Sequence, residues 1–314
     1  MLLPSQTPWR LAAAAATERQ GCMINNKEGD VHWNDAYWGI QSQFYWDPTL
    51  IGLDSVSAKN CVQENGHLLL PLDAIRTDGS IYWRRRGEDA ASTKLRLHRL
   101  EVVLNHCFNI MSAIAPDEVL QQLLLHPLGF DEPDSFTPVG DQLWRRYGWS
   151  ESANVTQPDG LFLGDQSVVA VELKLDATTD AAQVLKYATL LAMEEKLSGP
   201  KERLGLLYIV PEHYRPALWK KISLSGPAID RTYMQHLSLI KPGNVLNAFI
   251  RENQDLLASV LDRMALQVIS WRDVLALFRK IEAGLDLSHR GDQTLGRLLA
   301  GFCAQLEAHQ KTGI

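Results

Sequence analysis

Apolar residues recur every third or fourth position at Leu97, Leu100, Leu104, Phe108 and Met111. That is the spacing of one helix face, and it predicts an amphipathic helix over residues 94–114 with Ser92 or Thr93 as its cap. Residues 126–141 are rich in Pro, Asp and Gly and read as loop. Two extended runs follow, at 157–163 and 167–175, with Gly164, Asp165 and Gln166 as the turn between them. Residues 179–197 then read as a helix capped by Thr179 or Asp180 and stopped by Gly199-Pro200. Residues 203–210 are short and largely apolar, the pattern of a strand central in a sheet. The tail reads as helices over 243–264, 271–283 and 293–309, and 265–270 is compatible with a further strand. This order predicts an α/β core in which a mixed sheet is flanked by helices and followed by a helical tail.

The first part of the chain has a different texture. Five of the nine tryptophans lie there, at Trp9, Trp33, Trp38, Trp46 and Trp83. Asn65-Gly66 and Asp78-Gly79 are strong turn dipeptides, and the pieces beside them, 67–72 and 80–85, read as short strands. The chain therefore divides into a mixed, β-leaning, aromatic-rich region at 1–90, a core at 91–285 and a C-terminal helix at 286–314.

With 314 residues, one large domain or two modest ones fit. The formal net charge of -6 argues against a surface coated in positive charge for non-specific nucleic-acid binding, yet leaves room for a local basic groove. Cys22, Cys61, Cys107 and Cys303 form no CxxC or CxH pair, which argues against a zinc knuckle and fits a reducing compartment. No apolar stretch has membrane-spanning length, and residues 11–16 make a poor signal peptide. The expectation is a cytoplasmic chain with no membrane partner.

The two extended runs carry the chemistry. If Gly164 faces Ser167 across the turn, antiparallel pairing sets Leu163 opposite Val168 and Asp159 opposite Glu172. Directly opposite residues have Cβ atoms roughly 5 Å apart. Side chains alternate along a strand, so Lys174 shares the face of Glu172. Like charges placed together in this way destabilise a sheet and raise each other's pKa. A hard divalent cation, Mg²⁺ or Mn²⁺, resolves that conflict, and Lys174 would then act on the attacking water or on the charge building at a phosphate. Val168, Val169, Ala170 and Val171 run apolar into the motif, as a buried strand does, which puts the charged end at the strand's mouth.

Pro158-Asp159 followed thirteen residues after the Asp by Glu172, Leu173 and Lys174 resembles the motif of the PD-(D/E)XK nuclease superfamily. The resemblance spans about residues 95–210, with the piece to 283 a candidate extension. It implies a restriction-endonuclease-like core made of a helix, a three-stranded antiparallel meander, a helix and a further strand. It also implies that the Leu173 carbonyl completes the metal shell and that Glu101, on the preceding helix, contacts the metal or its water. Gln183 and Tyr187 are spaced as QxxxY, similar to the RecB-like branch, where such residues lie near the site and help hold nucleic acid. In that branch a His at the position of His98 can bind the metal.

Arg145 and Arg146 precede the first motif run and are candidate phosphate contacts, as are Arg84, Arg85, Arg86, Lys94, Arg96 and Arg99. The expectation is a metal-dependent nuclease acting on nucleic acid, DNA ahead of RNA, and compatible with a homo-oligomer. The rival is a non-catalytic nucleic-acid- or protein-binding module that keeps the fold.

Overall fold

A computed structural model of the chain describes residues 33, 101–139, 146–148, 158–175, 179–242, 244–309 and 311–314. The expectations for the N-terminal region, for the Ser92 or Thr93 cap, and for His98, Arg84, Arg85, Arg86, Lys94, Arg96, Arg99 and Arg145 lie outside these residues. Among the described residues no helix is long and apolar enough to cross a membrane.

The helix expected from the 97–111 spacing is present as α1, Glu101–Ile114, with Leu104, Cys107, Phe108 and Met111 buried. After it, α2 (Asp117–Leu120) runs on through a π turn and a 3-10 turn that ends at Leu128. The 126–141 stretch is not all loop. It holds this 3-10 turn and a two-residue strand, β1 (Thr137–Pro138). The physical reason is apolar: Leu128 and Phe136 are both buried, and they pull the stretch onto the sheet.

Strands β2 (Gly160–Leu163) and β3 (Ser167–Leu173) form the hairpin. Helix α3 (Ala181–Ser198) follows, capped by the Asp180 carboxylate, which accepts from Gln183 N–H at 3.1 Å. Gly199 ends it at φ +93°, a conformation that L side chains rarely adopt. Strand β4 (Arg203–Val210) has the bounds that its apolar run indicates. Then come α4 (Arg215–Lys221), a 3-10 segment (Arg231–Leu239), α5 (Leu246–Glu252), α6 (Gln254–Arg263), β5 (Ala265–Ser270), α7 (Trp271–Ala283) and α8 (Arg290–Ala308). The single helix expected over 243–264 is two, broken at Asn253. The Asn253 side chain holds the break by donating to Phe249 O at 2.8 Å and accepting from Lys196 Nζ at 2.7 Å. Asn competes with helix backbone in this way because its amide reaches nearby peptide groups.

The sheet order is β1-β2-β3-β4-β5. The first three strands are antiparallel neighbours, and β3, β4 and β5 run parallel. α3 makes the crossover from β3 to β4, as parallel pairing demands. Alternation along the strands assigns the helices to two layers. Val168, Ala170, Leu204, Leu206 and Tyr208 pack with α3, α5 and α6. Val169, Val171, Leu173, Leu207 and Ile209 pack on the opposite face with α1, α7 and α8. Phe162 fixes β2 to α1 by an edge-on ring contact with Phe108, with centroids 6.3 Å apart. β3 stops at Leu173, two residues short of the sequence reading. The next rung would be donated by residue 211, which is Pro and has no N–H. The Lys174 carbonyl instead accepts from Trp271 Nε1 at 3.1 Å, which ties the start of α7 to the end of β3.

The turn that sets the hairpin register is held from outside. The Asp134 carboxylate accepts from Asp165 N–H and Gln166 N–H, each at 3.0 Å, and faces Arg203 at 3.5 Å. A Cβ added at Gly164 would overlap Asp134 Oδ2. Gly164→Ala is therefore expected to push Asp134 off the turn and to cost about 1–3 kcal/mol of stability, read as a lower urea midpoint. An unchanged midpoint would show that this contact does not hold the turn.

Candidate functional site

Leu163 stands opposite Val168 and Gly160 opposite Val171. Carrying this register one residue further sets Asp159 opposite Glu172, as the hairpin argument requires. Asp159 lies just before β2, and its Oδ2 accepts from Leu173 N–H at 2.7 Å while its Oδ1 accepts from the Asn105 side-chain amide. Glu172 Oε1 meets Lys174 Nζ at 2.5 Å and Gln183 Nε2 at 3.4 Å, and the Tyr187 hydroxyl donates to Oε2. Gln183 Nε2 also lies 3.2 Å from the Tyr187 hydroxyl. Glu101 reaches over from α1, with Oε1 3.3 Å from Lys174 Nζ and Oε2 accepting from Leu175 N–H at 3.1 Å. Asp159, Glu172, Lys174, Glu101, Gln183 and Tyr187 thus come together at the carboxyl end of β3. In parallel sheets that end is where ligands bind.

Two expected residues fall elsewhere or act otherwise. Arg146 is not brought to this cluster. Its guanidinium forms a paired contact with the buried Glu194, with Nε to Oε2 at 2.7 Å. Glu194 sits eleven residues beyond Gln183 on α3, about 16 Å along a helix at 1.5 Å per residue. Tyr187, expected against substrate, is 0% exposed and its hydroxyl is spent on Glu172. It orients that carboxylate. Asn105 is a site residue that the apolar spacing hides. Its signal was available: it lies four positions after Glu101, so the two share one side of α1.

The electrostatics follow from burial. Glu172 is 3% exposed, and burial, then the neighbouring Asp159, push its pKa up to about 8 despite the contact with Lys174. Asp159 is also raised, by burial first and by Glu101, against the opposing pull of Leu173 N–H and Lys174. Burial works against charge on Lys174, but Glu172 and Glu101 outweigh it, so the ammonium holds its proton above the usual lysine range. The ion pair is therefore uneven: its cation is secure, while its anion is strained by a second carboxylate. Tyr208, opposite Glu172 on β4, is raised as well, by burial and then by Glu172.

This donor set suits a hard cation. Among the described residues no group of three or more His, Cys, Asp or Glu side chains is placed to hold an ion. Mg²⁺ does not need one, because it is usually held by one or two carboxylates with waters filling the rest of its shell. Asp159 and Glu172 supply two carboxylates. The Leu173 N–H points at Asp159, and in an extended strand the carbonyl of the same residue leaves on the same side. An oxygen ligand from Leu173 is thus available beside the two carboxylates. Burial first, and neighbouring carboxylates second, raise both pKa values, and a divalent cation beside them would favour the charged forms.

No family model, no curated protein and no solved structure matches the chain.

A carboxyl whose folded pKa is raised binds more protons folded than unfolded, so its contribution to stability is lost as pH climbs through the shifted value. The metal-free protein is expected to lose melting temperature as pH rises from the ordinary carboxylate range, near 4.5, to about 8. Glu172→Gln should flatten most of that loss. A wild-type slope that Glu172→Gln leaves unchanged would show that Glu172 does not carry it.

Proposed function

We propose that the chain is a divalent-cation-dependent phosphodiesterase, a nuclease of the PD-(D/E)XK type acting on DNA. One observation carries this reading: Asp159, Glu172 and Lys174 converge with Glu101, Gln183 and Tyr187 at one strand end. The element order supports a restriction-endonuclease-like core. A helix precedes an antiparallel meander, β1 to β3, and a helix and a parallel strand follow it. The buried, unpaired thiols of Cys107 and Cys303 fit a reducing, cytoplasmic setting.

In this reading Asp159, Glu172 and the Leu173 carbonyl hold Mg²⁺ or Mn²⁺. Such an ion, when bound, polarises a phosphoryl oxygen and acidifies a water. Gln183 and Tyr187 fix the rotamer of Glu172 by bonding both of its oxygens. Lys174 is held between Glu172 and Glu101 and stays protonated, so it serves as a positive charge and hydrogen-bond donor toward a phosphate or its attacking water. Glu101 keeps the Lys174 ammonium at the strand end and keeps Leu175 N–H satisfied.

A second reading has an observation in its favour. Every oxygen of Asp159, Glu172 and Glu101 already accepts from an internal donor. A module that binds nucleic acid or protein without cutting it would keep such a satisfied cluster. Incubation with linear and supercoiled DNA, and with RNA, in Mg²⁺ or Mn²⁺ separates the two. The phosphodiesterase reading expects cleavage by wild type and none by Lys174→Met. It also expects Mn²⁺ to raise the melting temperature of both, by about 2.7 kcal/mol of stabilisation at a hundredfold excess over Kd. Lys174→Met cutting at the wild-type rate would remove Lys174 from the chemistry. No cleavage of any substrate by wild type would leave the binding module.

A further inference from the structure

We infer that Asn105 is the positioning residue that sets the Asp159 carboxylate for its cation, an inference that rests on the phosphodiesterase reading. A carboxylate turns easily about its last bond, because that sp³–sp² torsion is broad. Fixing its plane takes a donor on each oxygen. Asp159 has two: Leu173 N–H on Oδ2, from its own sheet, and the Asn105 amide on Oδ1, from α1. Each oxygen carries two lone pairs, so this clamp leaves one on each for an ion.

The amide is itself held. Leu104, Cys107 and Phe108 on either side of Asn105 are fully buried, which fixes α1 against the sheet. Glu101, one turn earlier, is tied to Lys174 and Leu175. The same helix thus grips both halves of the motif, β2 through Asn105 and the end of β3 through Glu101.

A second feature sets Asn105 apart from a packing residue. The carboxylate demands the NH₂ group, so the amide oxygen faces away from Asp159. That Oδ1 is buried and meets no hydrogen-bond donor among the described residues. A buried acceptor without a donor costs stability, so the amide is kept for its NH₂ group, which a leucine would take away from the Asp159 oxygen. Asn105 therefore serves the site through its NH₂ group, which orients one ligand, and the structure bears the cost of its unpaired oxygen.

The test is calorimetric titration of Mn²⁺ into the intact chain, with Asn105→Leu, Asn105→Gln and wild type compared, beside melting curves without metal. Loss of a residue that orients a metal ligand weakens affinity by about ten- to a hundredfold. Asn105→Leu is expected to lose affinity on that scale, with its metal-free melt showing that the variant is folded. Asn105→Gln, which keeps the amide, is expected to recover at least half of the loss on a logarithmic scale, although a residue kept only for packing would favour Leu over Gln. If Asn105→Leu does not fold, Asn105→Ser replaces it with the same expectation for affinity. Wild-type affinity in the Leu variant, or no recovery in the Gln variant, overturns the inference and leaves the phosphodiesterase reading standing. A wild type that takes up no Mn²⁺ overturns both.

Discussion

Glu172 is the last but one residue of a strand whose members are all buried and, Ser167 apart, otherwise apolar, and a carboxylate in that position is stable only with partners around it. Much of the described structure answers that demand. Lys174, two residues on, supplies the charge. α3 supplies Gln183 and Tyr187 from one face of the sheet, and α1 supplies Glu101 from the helix layer of the other. The layers can meet there because β2 begins at Gly160 and leaves the last residues of β3 without a neighbouring strand on that edge. A longer β2 would cover the site with a ladder. A shorter one would release Asp159.

The partners are not equally matched, and the imbalance is informative. One ammonium stands beside three carboxylates, so the cluster keeps a deficit of positive charge that protonation can fill. For folding alone, apolar residues of similar volume would serve as well or better. Acids whose pKa values are raised by burial and by one another, inside a well-packed sheet, are the local conflict on which the proposed function rests.

The site depends on register, and register depends on a short turn. Side chains alternate with period two, so a one-residue slip between β2 and β3 would send Asp159 to the other face. Gly164 N–H bonds Ser167 O at 2.8 Å, and Asp134 satisfies the next two backbone donors of the turn. Asp134 belongs to a segment far from the hairpin in sequence, just ahead of β1. The meander is therefore closed by a side chain as much as by its ladder. Beyond it, Trp271 replaces the rung that Pro211 cannot donate, so the start of α7 steadies the strand end that carries Lys174.

The elements with strong periodicity, and the pairing that local turn geometry dictates, can be read directly from the residues. α1, β4, β5 and α7 are legible because packing on one face imposes their spacing. The meeting of Asp159 with Glu172 and Lys174 is legible too, because a hairpin with three residues between its strands leaves little freedom of register. Contacts between residues far apart in the chain emerge only once it is folded. Asn105 is separated from Asp159 by 54 residues, and its place four positions after Glu101 sets it on the same side of α1 without naming its partner. Arg146 looks like a phosphate contact in a basic pair, but its partner Glu194 is 48 residues away on a helix. β1 is only two residues long, too short to show alternation, and exists because Phe136 and Leu128 find the sheet. Periodicity reports a face that is buried; it does not report which distant polar group waits on the other side of the contact.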